Sequence, residues 1–262
     1  MKHAEKGIAR VLVIRLGAYA EVDFADLLQF HADTGSAVTR VCDAQGPLDI
    51  WVLDAVPGTR RGLSLDLSSD ASLPAVYRTS GYVNRLADAQ DLRRLAVDAF
   101  SGRCAIRPRG RQIKPGVWID EGARVHRSAR IVAPAYIGQG ARVRASALVT
   151  RFSNVERRCV VDCGTAIENS SVLPFTRVGR GLDVVHSVIE GERLMNLSRN
   201  VAFTIEDPKL FGRTASRRHW FGLGGQRIEA VAPGTGTVEI EPIPREAPRQ
   251  QPALGVLSKG EV

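Results

Sequence analysis

Two histidines, His126 and His186, are the candidate catalytic groups of this chain. A positioned imidazole can act as general base toward a hydroxyl or an amine near neutral pH. Each follows closely on an aliphatic residue, Val125 or Val184, within a stretch of regular repeats. Ten repeat units separate them, so they are expected on different faces, and each would need a neighbouring copy of the chain to complete a site. His3, His31 and His219 lie outside the repeats, so no three-histidine metal set is expected. Asp120, Glu156, Asp162 and Glu168 each follow an aliphatic repeat residue and are expected to face outward near a corner. There they can pair with arginines such as Arg142 or Arg144, exposed pairs of a kind that contribute about 0–1 kcal/mol each.

The element that must position these groups runs from Ile113 to Leu173. One aliphatic residue opens every group of six: Ile113, Ile119, Val125, Ile131, Ile137, Val143, Val149, Val155, Val161, Ile167 and Leu173. Four residues after each opening comes a small or β-branched residue, as at Ala123, Ala129, Ala135, Ala141, Ala147, Ser153, Cys159, Thr165 and Ser171. A period of six fits neither a helix nor a simple alternating strand. It fits a prism of short strands, three groups to a coil, with the aliphatic residue inside and the small residue turning the corner. Residues eighteen apart should then stack, for example Ile113–Ile131–Val149–Ile167. The register slips after Leu173, with Val178, Val184, Ile189, Met195 and Val201 opening later groups, which makes about fifteen groups or five coils.

The fold class expected is therefore mainly β: a parallel β-helix of hexapeptide repeats preceded by a small α/β fragment and a capping helix. Residues 11–16 (VLVIRL) read as a buried strand, and Asp23 as the cap of a helix that stops at Gly35. AVTRVCDA and DIWVLDA read as further strands. Residues 1–57 form the α/β fragment and 58–80 a linker. Residues 81–110 hold a capping helix that starts at Ala87-Asp88, with Leu92, Leu95, Ala96, Ala99 and Phe100 on one side, set over the open amino-terminal end of the prism. Residues 111–210 are the β-helix, and 211–262 a largely flexible extension with a basic-aromatic cluster and a Pro- and Gln-rich tail.

Composition excludes little else. The net charge of +8 comes almost wholly from arginine, since only Lys2, Lys6, Lys114, Lys209 and Lys259 are lysines. The arginines read as spread through corners and tail, which argues against nucleic-acid binding. No uninterrupted apolar run reaches 18 residues, so no membrane span is expected. Cys42, Cys104, Cys159 and Cys163 lack zinc spacing, and Cys159 falls in an inward small-residue slot. A reduced, cytoplasmic setting is expected.

VLVIRLGAYAEVDFADLLQFHADTGSAVTRV and GYVNRLADAQDL resemble two segments of the sugar-1-phosphate nucleotidyltransferases, the pyrophosphorylase or mannose-1-phosphate guanylyltransferase type, whose catalytic domain is often followed by a left-handed β-helix. The handedness expected here comes from that resemblance. So do the settings it implies: sugar-nucleotide or surface-polysaccharide metabolism in a bacterium, a homo-oligomer, and a sugar-phosphate or nucleotide-sugar ligand, for which Arg177 and Arg180 beside the register slip are candidates. The resemblance also carries departures. The phosphate-cradling glycine-rich loop of the family has no counterpart before Val11. The two metal-binding aspartates of the family match Ala18 and Arg85, and Mg²⁺ needs hard carboxylate oxygens. Glu21, Asp23 and Asp88 are the carboxylates near enough to substitute. The expectation is a catalytically degenerate scaffold or regulatory subunit that needs no cofactor, Mg²⁺ being required only if nucleotidyl transfer is retained. The alternatives are a hexapeptide-repeat acyltransferase using an interface histidine, or an active nucleotidyltransferase with a rebuilt site.

Overall fold

The computed structural model describes residues 9–55, 74–214 and 239–242. Within it the hexads wind into a parallel β-helix of the left-handed type with about four turns. Three internal rows run up the prism. On the first face Ile119, Ile137, Val155, Val172 and Ile189 stack in parallel register. Val125, Val143, Val161 and Val178 stack on the second, and Ile131, Val149, Ile167 and Val184 on the third. Most of these side chains are fully buried in one continuous core. The small residues are the corner fillers the spacing implied, except that the short group puts Ser170 in the corner above Ser153 and turns Ser171 out to Asn154 and Arg93. Ser153, Ser170 and Ser187 form a buried column in which each hydroxyl accepts the backbone amide of the next serine, at 3.2 and 3.0 Å.

Several details differ from the sequence reading. Ile113 does not join the third row. Gly116, at φ +74°, reverses the chain, so that β7 (Arg111–Lys114) folds back antiparallel on β8 (Val117–Ile119) and leaves Ile113 exposed. The register slip comes one group early: Val155 pairs with Val172, so the short group lies between Ile167 and Val172, and Leu173 is only partly buried. At the far end Gly191, at φ +60°, turns the chain again. Strands Ser187–Glu190, Arg193–Asn196 and Val201–Thr204 form an antiparallel meander, so Met195 and Val201 cap the prism instead of extending it. Strand Glu239–Pro242, in the stretch read as a flexible tail, adds to the meander's edge. The remainder of residues 215–262 lies outside the described residues.

The amino-terminal fragment is a four-stranded sheet of β1 (Arg10–Ile14), β3 (Val38–Asp43), β4 (Gly46–Asp54) and β5 (Ala75–Arg78), in the order β1-β4-β3-β5. β5 pairs parallel with β3, so the end of the 58–80 linker is in fact a strand; residues 56–73 lie outside the described residues. Helix α1 (Phe24–Thr34) packs on the sheet through Leu27 and His31. Asp23 caps it by accepting the amides of Ala25 and Asp26, and Gly35 ends it in the left-handed conformation. His31 is a core residue, its ring bridging Thr39 and Asp54. A short pair, β2 (Tyr19–Ala20) with β6 (Val83–Asn84), ties this fragment to the segment that leads into the second helix. Gly81 is required beside that pair, because a Cβ there would overlap the Glu21 carbonyl oxygen.

Helix α2 (Ala89–Phe100) starts at Asp88, as its sequence implied, but it does not cap the end of the prism. It lies along the side. Phe100 packs against Trp118 and Phe152. The guanidinium of Arg93 reaches Phe152 and Asn154 two coils above Trp118, and Asn169 and Ser171 three coils above it. β7 covers the amino-terminal edge of the first face, which frees the helix to bridge coils.

Candidate functional site

The two histidines do not come together. His126 is exposed, and its Nδ1 sits 2.8 Å from the Ser128 hydroxyl. His186 occupies the corner against which α2 rests, at φ +49°, with Nδ1 accepting from the Asn169 amide at 2.5 Å. It lines a pocket of about 300 Å³ with Gln90, Arg93, Asn169, Leu197 and Ser198.

Ala18 and Arg85, the positions expected from the resemblance to match metal-binding aspartates, lie elsewhere. Ala18 is exposed and offers no side-chain donor. Arg85 is half-buried, 2.5 Å from an Asp43 carboxylate oxygen and also hydrogen-bonded to the carbonyls of Gly46 and Pro47. The carboxylates near enough to substitute are each engaged. Glu21 accepts from the Tyr19 hydroxyl and the Ala105 amide, and those bonds hold its carboxyl below the usual range. Asp23 caps α1, and Asp88 caps α2. These residues do not fit a magnesium ion: one position is a methyl group and the other already a cation. Among the described residues, no three His, Cys, Asp or Glu side chains gather as a metal set.

Between α2 and the first face runs a slot of about 230 Å³ lined by Ala96, Phe100, Arg109, Tyr136, Asn154 and Glu156. Burial raises the Glu156 carboxyl above its ordinary value, and the Asn154 amide (2.7 Å) and Arg157 only partly offset it. Burial, with Glu156 and Asp120 nearby, likewise raises the Tyr136 phenol. A carboxyl whose folded pKa lies above its unfolded one contributes stability below the unfolded value and loses it as pH rises through the folded value. Glu156→Gln is therefore expected to raise the melting temperature at pH 7.5 and to change it little at pH 4. Thermal melts at the two pH values check this, and equal shifts at both would remove the burial explanation.

A groove of about 710 Å³ runs along the second face. The expectation of dispersed arginines fails here. Arg124 and Arg142 stand directly opposite one another on adjacent parallel strands, and Val160 and Arg177 continue the same outward row. Arg144, Arg158 and Arg213 also line the groove. The hexad is the reason: a position two residues beyond each corner always faces the same way, so arginines in matching hexad positions are brought together by stacking. That signal was present in the sequence, in the phrases ARV and TRV, and was readable once the outward positions were aligned by coil. Neither a family model nor a curated protein sequence matches this chain. What the groove can do must therefore be read from its own groups. Of the two candidate ligand arginines, Arg177 lines the groove and Arg180 does not. Arg177 and Arg144 flank Asp162 at 3.1 and 3.7 Å. Burial disfavours that carboxylate, but the Cys163 amide and the two arginines outweigh it, so the Asp162 carboxyl is held below its ordinary value. Cys159 is fully buried in its corner slot, and burial pushes its thiol up to about 12, so it is a core filler and no nucleophile.

Proposed function

We propose that this protein is a catalytically silent relative of the sugar-1-phosphate nucleotidyltransferases, serving as an oligomeric scaffold or regulatory subunit in bacterial sugar-nucleotide or surface-polysaccharide metabolism. The observation that carries the reading is Arg85. The resemblance puts a metal-binding aspartate at this position, and a guanidinium ion is there instead, neutralised by Asp43 and two carbonyls. In-line attack on a nucleoside triphosphate needs a divalent cation to neutralise phosphate charge. A fixed cation whose terminal nitrogens are already bonded to Asp43, Gly46 and Pro47 does not replace one that bridges phosphates. The engagement of Glu21, Asp23 and Asp88 in hydrogen bonds and caps supports the same conclusion.

The oligomeric part has support at β1, the outer strand of its sheet among the described residues. Leu12 and Ile14 alternate on one side of it, 39% and 48% exposed, and Leu16 beyond them is 94% exposed. An apolar open edge of this kind favours pairing with a second copy across a two-fold axis. Localisation in the cytoplasm belongs to the same proposal; among the described residues no helix is long and apolar enough to cross a membrane.

The test is pyrophosphate release by the purified chain from each nucleoside triphosphate with Mg²⁺ and a panel of sugar 1-phosphates. The expected result is no release above a protein-free control, with light scattering reporting more than one copy per particle. Turnover that depends on both substrates would end the proposal.

A further inference from the structure

We infer that the arginine groove on the second face binds a small ligand carrying two linked phosphoryl groups. The groove gathers six guanidinium groups. Arg124 and Arg142 are opposed in register, an arrangement of like charges that repels when nothing lies between them. Asp162 is the carboxylate beside them, nearly buried and shared by Arg144 and Arg177. Arg124, Arg142, Arg158 and Arg213 have no carboxylate within ion-pair distance among the described residues. The groove therefore holds an excess of positive charge that an anion would relieve.

Arg158 adds a second, independent sign of construction. At the corner beside the groove the successive coils place Gly122, Gly140, Arg158 and Phe175, all with positive φ. The first two are glycine, the residue such a corner favours. The third is an arginine at φ +56° whose Cγ lies 3.6 Å from where a Cβ on Gly140 would stand. Its side chain thus lies back over the bare glycine corner toward the lower coils, into the groove. At the other end, a return strand (Phe211–Arg213) pairs with Thr176–Val178 and delivers Arg213.

The spacing selects the ligand class. Coils stack about 4.8 Å apart, so the donors form tiers along the prism axis. One phosphoryl group meets the tiers nearest to it, whereas two linked groups can be gripped by successive tiers at once, each through the paired N–H groups that guanidinium offers phosphate oxygens. The groove volume suits a ligand of nucleotide size. Its lining has no aromatic residue, so it offers no stacking platform of the kind that single-stranded nucleic acid uses. This inference rests on the groove alone and not on the nucleotidyltransferase reading; it is ligand affinity that tests it, and pyrophosphate release that tests the other.

The experiment is calorimetric titration of the full chain with inorganic pyrophosphate, orthophosphate, a nucleoside diphosphate and a single-stranded oligonucleotide. Pyrophosphate is expected to bind about tenfold or more tightly than orthophosphate, because charge-assisted bonds add across tiers. Arg142→Ala and Arg158→Ala should each weaken it by about tenfold. Arg180→Ala, outside the groove, should not. Arg142 and Arg158 are exposed, so unchanged melting curves would certify the fold of both variants. A nucleoside diphosphate bound about as well as pyrophosphate supports a nucleotide-borne ligand; one bound more weakly supports the free anion. Equal affinities for orthophosphate and pyrophosphate, indifference to Arg142→Ala, or tighter binding of the oligonucleotide would overturn the inference.

Discussion

Arg93→Ala is expected to lower the melting temperature by about 6–12 °C, on the basis of a loss of about 3 kcal/mol in a domain of this size. Arg93 is 5% exposed, and among the described residues no carboxylate pairs with it. Its charge is held by the Phe152 and Asn169 carbonyls at 2.6 and 3.2 Å and by the Asn169 side-chain oxygen at 2.9 Å, with longer contacts to Asn154 and Ser171. Burial lowers its pKa to about 10, so it stays charged at neutral pH. Truncation removes the charge and leaves those oxygens, at a covered corner, without donors, and the second of these costs is usually the larger. Arg93→Lys should recover little, since an ammonium cannot fork to oxygens on two coils. Because Arg93 links α2 to the upper coils, the variant should also expose α2 to hydrogen exchange before the prism core. Global unfolding in one step with unchanged α2 protection would show that the helix is held elsewhere.

This clamp also shows where the sequence stops being informative. The prism was legible because every coil repeats the same demand: an aliphatic residue inward and a small one at the corner. Asp23, Gly35 and Asp88 were legible because capping is decided within a few residues of the cap. The position of α2 was not. Its apolar stripe said that it packs on something, but Arg93 reaches residues about 60 to 80 positions away in the chain, and nothing local marks that distance. The ends of the prism depart from the period for a related reason. Ile113, Met195 and Val201 keep the period, but Gly116 and Gly191 reverse the chain, and pairing then follows the turn and not the period. The arginine groove lies between these cases. Its residues repeat with the coil, so their gathering was implicit, yet it takes the true register, with its short group after Ile167, to place Arg177 above Val160.

Gly179→Ala is the variant expected to break the fold and the groove together. Gly179 sits at the top of the second face, buried, with its amide bonded to the Leu210 carbonyl at 2.6 Å. A Cβ at this position would overlap the Lys209 carbonyl oxygen, so the backbone of the return segment must move away. That backbone leads directly into strand Phe211–Arg213. Phe211, 5% exposed, closes the carboxy-terminal end of the second face over Val178, and uncovering it costs about 2–3 kcal/mol. The same displacement unpairs Arg213 from Thr176 and withdraws one guanidinium from the groove. The expected result is a fall in melting temperature of about 4–12 °C, with earlier proteolysis at 207–214 and weaker pyrophosphate binding. Phe211→Ala separates the two effects: it removes the buried ring while the backbone pairing that places Arg213 can persist, so it should lose stability and keep more of the affinity. If Gly179→Ala melts like the parent chain, the return strand does not close the prism, and Arg213 must be removed from the account of the groove.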